Sequence, residues 1–102
     1  MKIGFKNSTP EESVTALESN LSGRKLGSMV SLELDSKNLT VVISKLGKSK
    51  LNFSIDSKGS ETLFKLESEK IALSHRALKE SVLEKLEKVI KESGGEIIEK
   101  YS

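Results

Sequence analysis

Apolar residues recur at three- and four-residue spacing in one long stretch of the chain, from Ser68 to Ser93. Ile71, Leu78, Val82, Leu86 and Val89 form a stripe that Leu83 and Ile90 widen, the spacing of one buried helix face. The opposite face sets Glu84 four residues before Lys88 and Glu87 four before Lys91, an orientation that supports an exposed helix. The pattern predicts a helix from about Glu69 to Ser93. Gly94-Gly95 closes it, because glycine enters the left-handed conformation after a last turn without steric cost. Ile71 to Ser74 has a second reading, as an extension of a sheet with the helix beginning near Arg76. The helix-favouring alanine, leucine, lysine and glutamate residues of the stretch decide for the helix.

The first seven residues alternate, with Ile3 and Phe5 facing one way and Lys2 and Lys6 the other, as in a short half-buried strand. Thr9-Pro10-Glu11-Glu12 then reads as a helix start: threonine as N-cap, proline where its missing N–H costs nothing, and a glutamate that closes a capping box. The helix over 10–22 carries Val14, Leu17 and Leu21 on one stripe and stops at Gly23; Arg24 to Gly27 reads as a loop.

From Ser28 to Glu67 the period changes to two. Val30, Leu32 and Leu34 alternate with polar residues, as do Leu51, Phe53 and Ile55, and Leu39–Ile43 and Thr62–Leu66 are two further strands. Asp35-Ser36-Lys37-Asn38 and Asp56-Ser57-Lys58-Gly59 read as type I turns followed by a left-handed residue, and Gly47-Lys48 as a two-residue turn. A meander of sequential antiparallel strands results. Residues 96–101 are either a last strand beside the first or a frayed tail. The fold class expected is therefore α+β in two layers. An antiparallel sheet of four to six strands packs on one face against a short N-terminal and a long C-terminal helix, in the order β-α-β-β-β-β-α with or without a final β, as one domain over residues 1–102.

Turns and apolar residues specify different registers, and a one-residue slip turns every side chain to the other face. With loops at Ser36–Asn38 and Gly47-Lys48, one face holds Val30, Leu32, Leu34, Val42, Leu51, Phe53, Ile55 and Leu63. Leu39, Val41, Ile43, Phe64 and Leu66 are then left on the other as a candidate interface. With the apolar pattern in control, Leu39, Val41 and Ile43 turn inward and the outer face is mostly Ser, Lys, Asn and Glu. A single sheet with helices on one side favours this second arrangement.

Composition narrows the function classes. The 102 residues carry a net charge of only +2, with a pI near 8.8, so no strong overall field for nucleic acid or membrane is present. No cysteine occurs, which removes thiolate chemistry, disulfides and sulfur-bound zinc. No apolar run is long enough to span a membrane and the N-terminus lacks a signal-peptide core, so a cytoplasmic protein is expected, and the glycosylation-like matches at Asn7, Asn20, Asn38 and Asn52 have no acceptor role.

His75, the one histidine, reads as a helix-surface or boundary residue without a positioned partner, and no cofactor or metal set is recognisable. Gly47-Lys48-Ser49 resembles the end of a phosphate-binding loop, but Val42 stands where its first glycine belongs. The expectation is a non-enzymatic binding domain whose first candidate partner is a second copy, as a homodimer. A competing small-ligand reading places an apolar cleft at Phe53, Leu63, Val82 and Leu86. A third reading uses Lys45, Lys48 and Lys50 as phosphate contacts for nucleic acid; against it, the hairpin lysines also serve to solubilise a sheet and guard its edges.

Pro10-Glu11-Glu12 at the first helix, the hairpin LELDSKNLTVVI and the helix LKESVLEKLEKVI together resemble the small polyhydroxyalkanoate-system proteins of bacteria. The resemblance implies a helix-grip-like α+β fold. Members of that family tend to carry a histidine before the first helix and a tryptophan in the sheet, where this chain has Asn7 and Ser8 and no tryptophan. Granule association is not implied.

Overall fold

A computed structural model of the chain describes residues 1–44, 47–72, 75–76 and 79–99. Strand β1 (Lys2–Lys6) leads to helix α1 (Pro10–Leu21), a 3-10 turn (Leu26–Ser28), strands β2 (Val30–Leu34), β3 (Asn38–Ser44), β4 (Lys48–Lys58) and β5 (Glu61–Lys70), helix α2 (Lys79–Glu92) and strand β6 (Gly95–Glu99). The fold is α+β: one open antiparallel sheet in the order β2-β3-β4-β5-β1-β6, with two helices. The four middle strands form the expected meander. The last strand exists and pairs with β1, Ile3 facing Ile97 and Phe5 facing Gly95.

Helix α1 begins as its sequence predicts. The Thr9 hydroxyl accepts from the Glu12 N–H at 3.1 Å and the Glu12 carboxylate accepts from the Thr9 N–H at 3.0 Å. These reciprocal bonds satisfy two otherwise orphaned donors; hydrogen bonding from Thr9 to the Glu12 carboxyl, chiefly from the Thr9 backbone N–H and secondly from its side chain, holds that carboxyl below its ordinary pKa. Val14, Leu17 and Leu21 turn inward. Near the helix C-termini the Asn20 amide donates to the Ser93 hydroxyl at 3.0 Å and Arg24 pairs with Glu92, tying α1 to α2.

Helix α2 is shorter than its periodicity predicts. Glu69 and Lys70 belong to β5, where they face Leu51 and Lys50 of β4. The neighbouring strand explains the difference: β4 runs eleven residues, and the ladder bonds it offers outweigh the few tenths of a kcal/mol per residue by which propensity favours helix here. Ile71 is half-buried beside the core rather than part of a helical stripe, and Leu78 and the segment 73–74 lie outside the described residues. Beyond Lys79 the stripe is as expected, with Leu86, Val89 and Ile90 buried and Val82 and Leu83 packed against them. Gly94, at φ +90°, ends the helix in the left-handed conformation.

The register follows the apolar residues and not the turns. Val30 faces Ile43, Leu32 faces Val41 and Leu34 faces Leu39, while Val41 faces Leu51 and Leu39 faces Phe53. The reason lies at Asp35. Its carboxylate accepts from the N–H groups of Lys37 and Asn38, each at 2.8 Å, and its own N–H donates to the Asn38 carbonyl at 2.9 Å. Asp35 and Asn38 thus close a tight turn with Ser36-Lys37 at its tip, and Asn38 does not take the positive φ that a three-residue loop requires. Lys48 is likewise already in β4, opposite Ser44, so Gly47-Lys48 is not a two-residue loop. Asp56, Ser57 and Lys58 are strand residues, the turn being Gly59-Ser60 with Gly59 at φ +60°. A bulge between Asn52 and Phe53 brings Leu66 opposite Phe53 and keeps the apolar rows aligned across β4 and β5.

Candidate functional site: the open face and the edges of the sheet

The inner face of the sheet is filled. Leu39, Val41, Ile43 and Phe64 are buried among Ile3, Phe5, Leu51 and Phe53, with Leu66 packed against them. They are core residues, so the candidate interface on the outer face does not exist as such. Each of these side chains contributes about 1.5–3 kcal/mol when buried, which is why the register that exposes them loses. The residues named for a cleft do not all come together. A cavity of about 20 Å³ beneath the helices is lined by Phe53 and Leu86 together with Ile3, Phe5, Leu17 and Ile90. That is room for about one water molecule, far below the several hundred Å³ of a small-ligand pocket. Val82 does not line it, and Leu63 faces the other way, across from Gly4.

The outer face, away from the helices, carries a polar row across its middle beside the buried Val42. The Thr40 hydroxyl donates to the Asn52 carbonyl at 2.9 Å and the Asn52 amide to the Ser68 hydroxyl at 3.3 Å, a row of side-chain bonds across β3, β4 and β5. Lys50 stands directly opposite Lys70, with exposed Lys48 two residues before it. Lys70 joins this basic corner only because β5 is longer than its sequence pattern; Lys45 lies outside the described residues. The three phenylalanines of the chain are all buried, so none of them is on this face to stack on bases. At the other end Leu63 and Ile98 close over Gly4, where a Cβ would lie 2.8 Å from the Ile98 Cδ1 and 3.3 Å from the Leu63 Cδ2. Among the described residues Ile98, 42% exposed, is the large hydrophobic side chain most open to solvent.

His75 is buried, not a surface residue. Its Nδ1 lies 2.6 Å from the Oγ of Ser49, which also accepts from the Ala72 N–H at 2.8 Å. A serine beside an imidazole has the spacing of a nucleophile and its base, but Ser49 is 0% exposed, and its hydroxyl is enclosed by protein rather than open to a substrate. The pair anchors the segment after β5 to the start of β4. Among the described residues no group of three His, Asp or Glu side chains is placed to hold a metal ion, and no helix is long and apolar enough to cross a membrane.

The sheet has two edges, β2 and β6, each hydrogen-bonded on one side only. The lysine-rich strand β4 is interior, so its lysines do not guard an edge as the sequence suggests. Strand β6 carries Glu96 and Glu99 and a register irregularity opposite Lys2/Ile3. Strand β2, VSLEL, carries a single charge, Glu33, and no lysine, arginine or proline. Comparison of the chain with protein-family models, with curated proteins and with solved structures finds no match.

Proposed function

We propose that the protein is a non-enzymatic interaction domain whose partner is a second copy of the same chain. The observation that carries this reading is the open sheet: two edge strands present unpaired backbone donors and acceptors, and such edges template pairing with another chain unless charge, proline or distortion blocks it. Among the described residues, the packed core and the enclosed Ser49–His75 pair leave the sheet margins as the open feature that supports this reading. A cytoplasmic setting belongs to the same reading, supported by the cysteine-free sequence. Light scattering of the full chain across a concentration series tests it, with dimer expected to accumulate by high micromolar concentration. A strict monomer there overturns it.

A further inference from the structure

Resting on that reading, we infer that the two copies join through β2, antiparallel about a twofold axis at Leu32, so that two six-stranded sheets become one of twelve strands with all four helices on the same side. The hydrogen-bond phase of the edge leads to this register. The Asp35 N–H donates to the Asn38 carbonyl at 2.9 Å and the Ser44 N–H to the Met29 carbonyl at 2.7 Å, and both pairs obey the β2–β3 register of Leu34 opposite Leu39. Backbone groups alternate along an antiparallel pair. Met29, Ser31, Glu33 and Asp35 therefore bond inward to β3, and Val30, Leu32 and Leu34 direct their N–H and C=O groups outward.

Those three outward residues are self-complementary. About Leu32, Val30 of one copy meets Leu34 of the other and Leu32 meets Leu32, each an outward residue facing an outward residue, so each facing pair exchanges both of its bonds. The side chains agree with the backbone. Val30, Leu32 and Leu34 extend the apolar inner row from one copy into the next, where Leu32 and Leu34 are at present only half-buried at the margin. On the outer face Ser31 of each copy meets Glu33 of the other, a hydroxyl against a carboxylate. Centring the axis on Ser31 or Glu33 leaves an outward residue unpaired, and the latter sets two Glu33 carboxylates face to face. The opposite edge is the poorer candidate, since two copies of β6 gather four glutamates on a strand of irregular register.

The charge at position 31 reads the interface without touching the core, because Ser31 is exposed. Ser31→Glu sets like charges opposite each other twice and is expected to weaken the dimer about three- to tenfold; Ser31→Lys sets a lysine against Glu33 and is expected to tighten it. Ile98→Lys, at the far edge, is expected to leave the dimer constant unchanged. Circular dichroism of each variant confirms the fold. The register has its own readout, since the chain has no cysteine. Ser31 and Glu33 of the partner face at about 4.5 Å between Cα atoms, within disulfide range. Mildly oxidised mixtures of Ser31→Cys and Glu33→Cys chains therefore cross-link as heterodimers, and neither variant does so alone. A dimer indifferent to residue 31, or broken by Ile98→Lys, overturns the β2 assignment and leaves self-association standing. Cross-linking of either single variant alone overturns the Leu32 axis, and a monomer at all concentrations overturns both readings.

Discussion

Ser49 and His75, separated by 26 positions in sequence, meet at 2.6 Å in the interior, and the same serine oxygen takes the N–H of Ala72. One hydroxyl therefore fixes the chain where it leaves β5. Ser49→Ala strands the Ala72 donor and removes a hydrogen-bonding partner of the imidazole, and an unsatisfied buried group costs about 1–3 kcal/mol. Ser57→Ala, at an exposed position of β4, should shift stability by less than about 0.5 kcal/mol. Urea midpoints of the two variants check the contrast; equal midpoints would show that the buried hydroxyl carries no structural weight.

Leu86 is 4% exposed and borders the small apolar cavity. Leu86→Ala enlarges that void and should cost about 2–5 kcal/mol, a large share of the roughly 5–15 kcal/mol available to a small domain. Lys85, adjacent and exposed, should tolerate alanine within about 0.5 kcal/mol. Denaturation of both variants tests which face of α2 meets the sheet.

Two glycines should respond very differently to an added methyl. At Gly27 a Cβ would overlap the Leu21 carbonyl oxygen, which is backbone and has nowhere to go. Gly27→Ala should destabilise by at least the roughly 1–3 kcal/mol of an overpacked site. At Gly4 the obstacles are the methyl ends of Ile98 and Leu63 on the outer face. Gly4→Ala should therefore cost less, and thermal melts that rank the two the other way would refute this account.

Acid should weaken the fold through two turns. Hydrogen bonds from the Lys37 N–H, chiefly, and the Asn38 N–H lower the Asp35 pKa, and bonds to Thr9 lower that of Glu12. A carboxylate whose pKa is depressed by folding stabilises the native state above its ordinary pKa, and that contribution disappears as pH falls through the depressed value. Chemical unfolding from neutral pH down through the carboxylate range should show a decline, shallower in Asp35→Asn and in Glu12→Gln than in the parent. Parallel curves for all three proteins would remove both groups from the acid response.

What the sequence revealed depended on range. The capping box at Thr9 and Glu12 was legible because its parts lie three residues apart, and the period-two strands because each repeats its own pattern. The start of α2 was not, since Glu69 and Lys70 are held in β5 by partners on β4 that no local propensity encodes. The turn at Asp35 misled for a related reason: its side chain can serve several loops, and the burial of Leu39, Val41 and Ile43 selected among them. The Ser49–His75 pair had no local signal at all. The bare edge VSLEL was in plain view, but a strand becomes an edge only once the strand order is known.

The place of β1 has a consequence for how the protein is made. Of the six strands this one precedes the others in the chain, yet it lies between β5 and β6, pairing with Glu61–Lys65 on one side and with the Gly95–Glu99 strand on the other. A nascent chain on the ribosome therefore carries Ile3 and Phe5 without a mate until the meander is complete, and the sheet closes only when β6 emerges. Contacts of such long sequence separation slow folding and prolong the exposure of unpaired strands. Because Lys2 faces Glu99 across that final seam, a permuted chain in which a short connector joins β6 to β1 and which opens at Gly59-Ser60 would place β5, β1 and β6 in reach of one another from the outset.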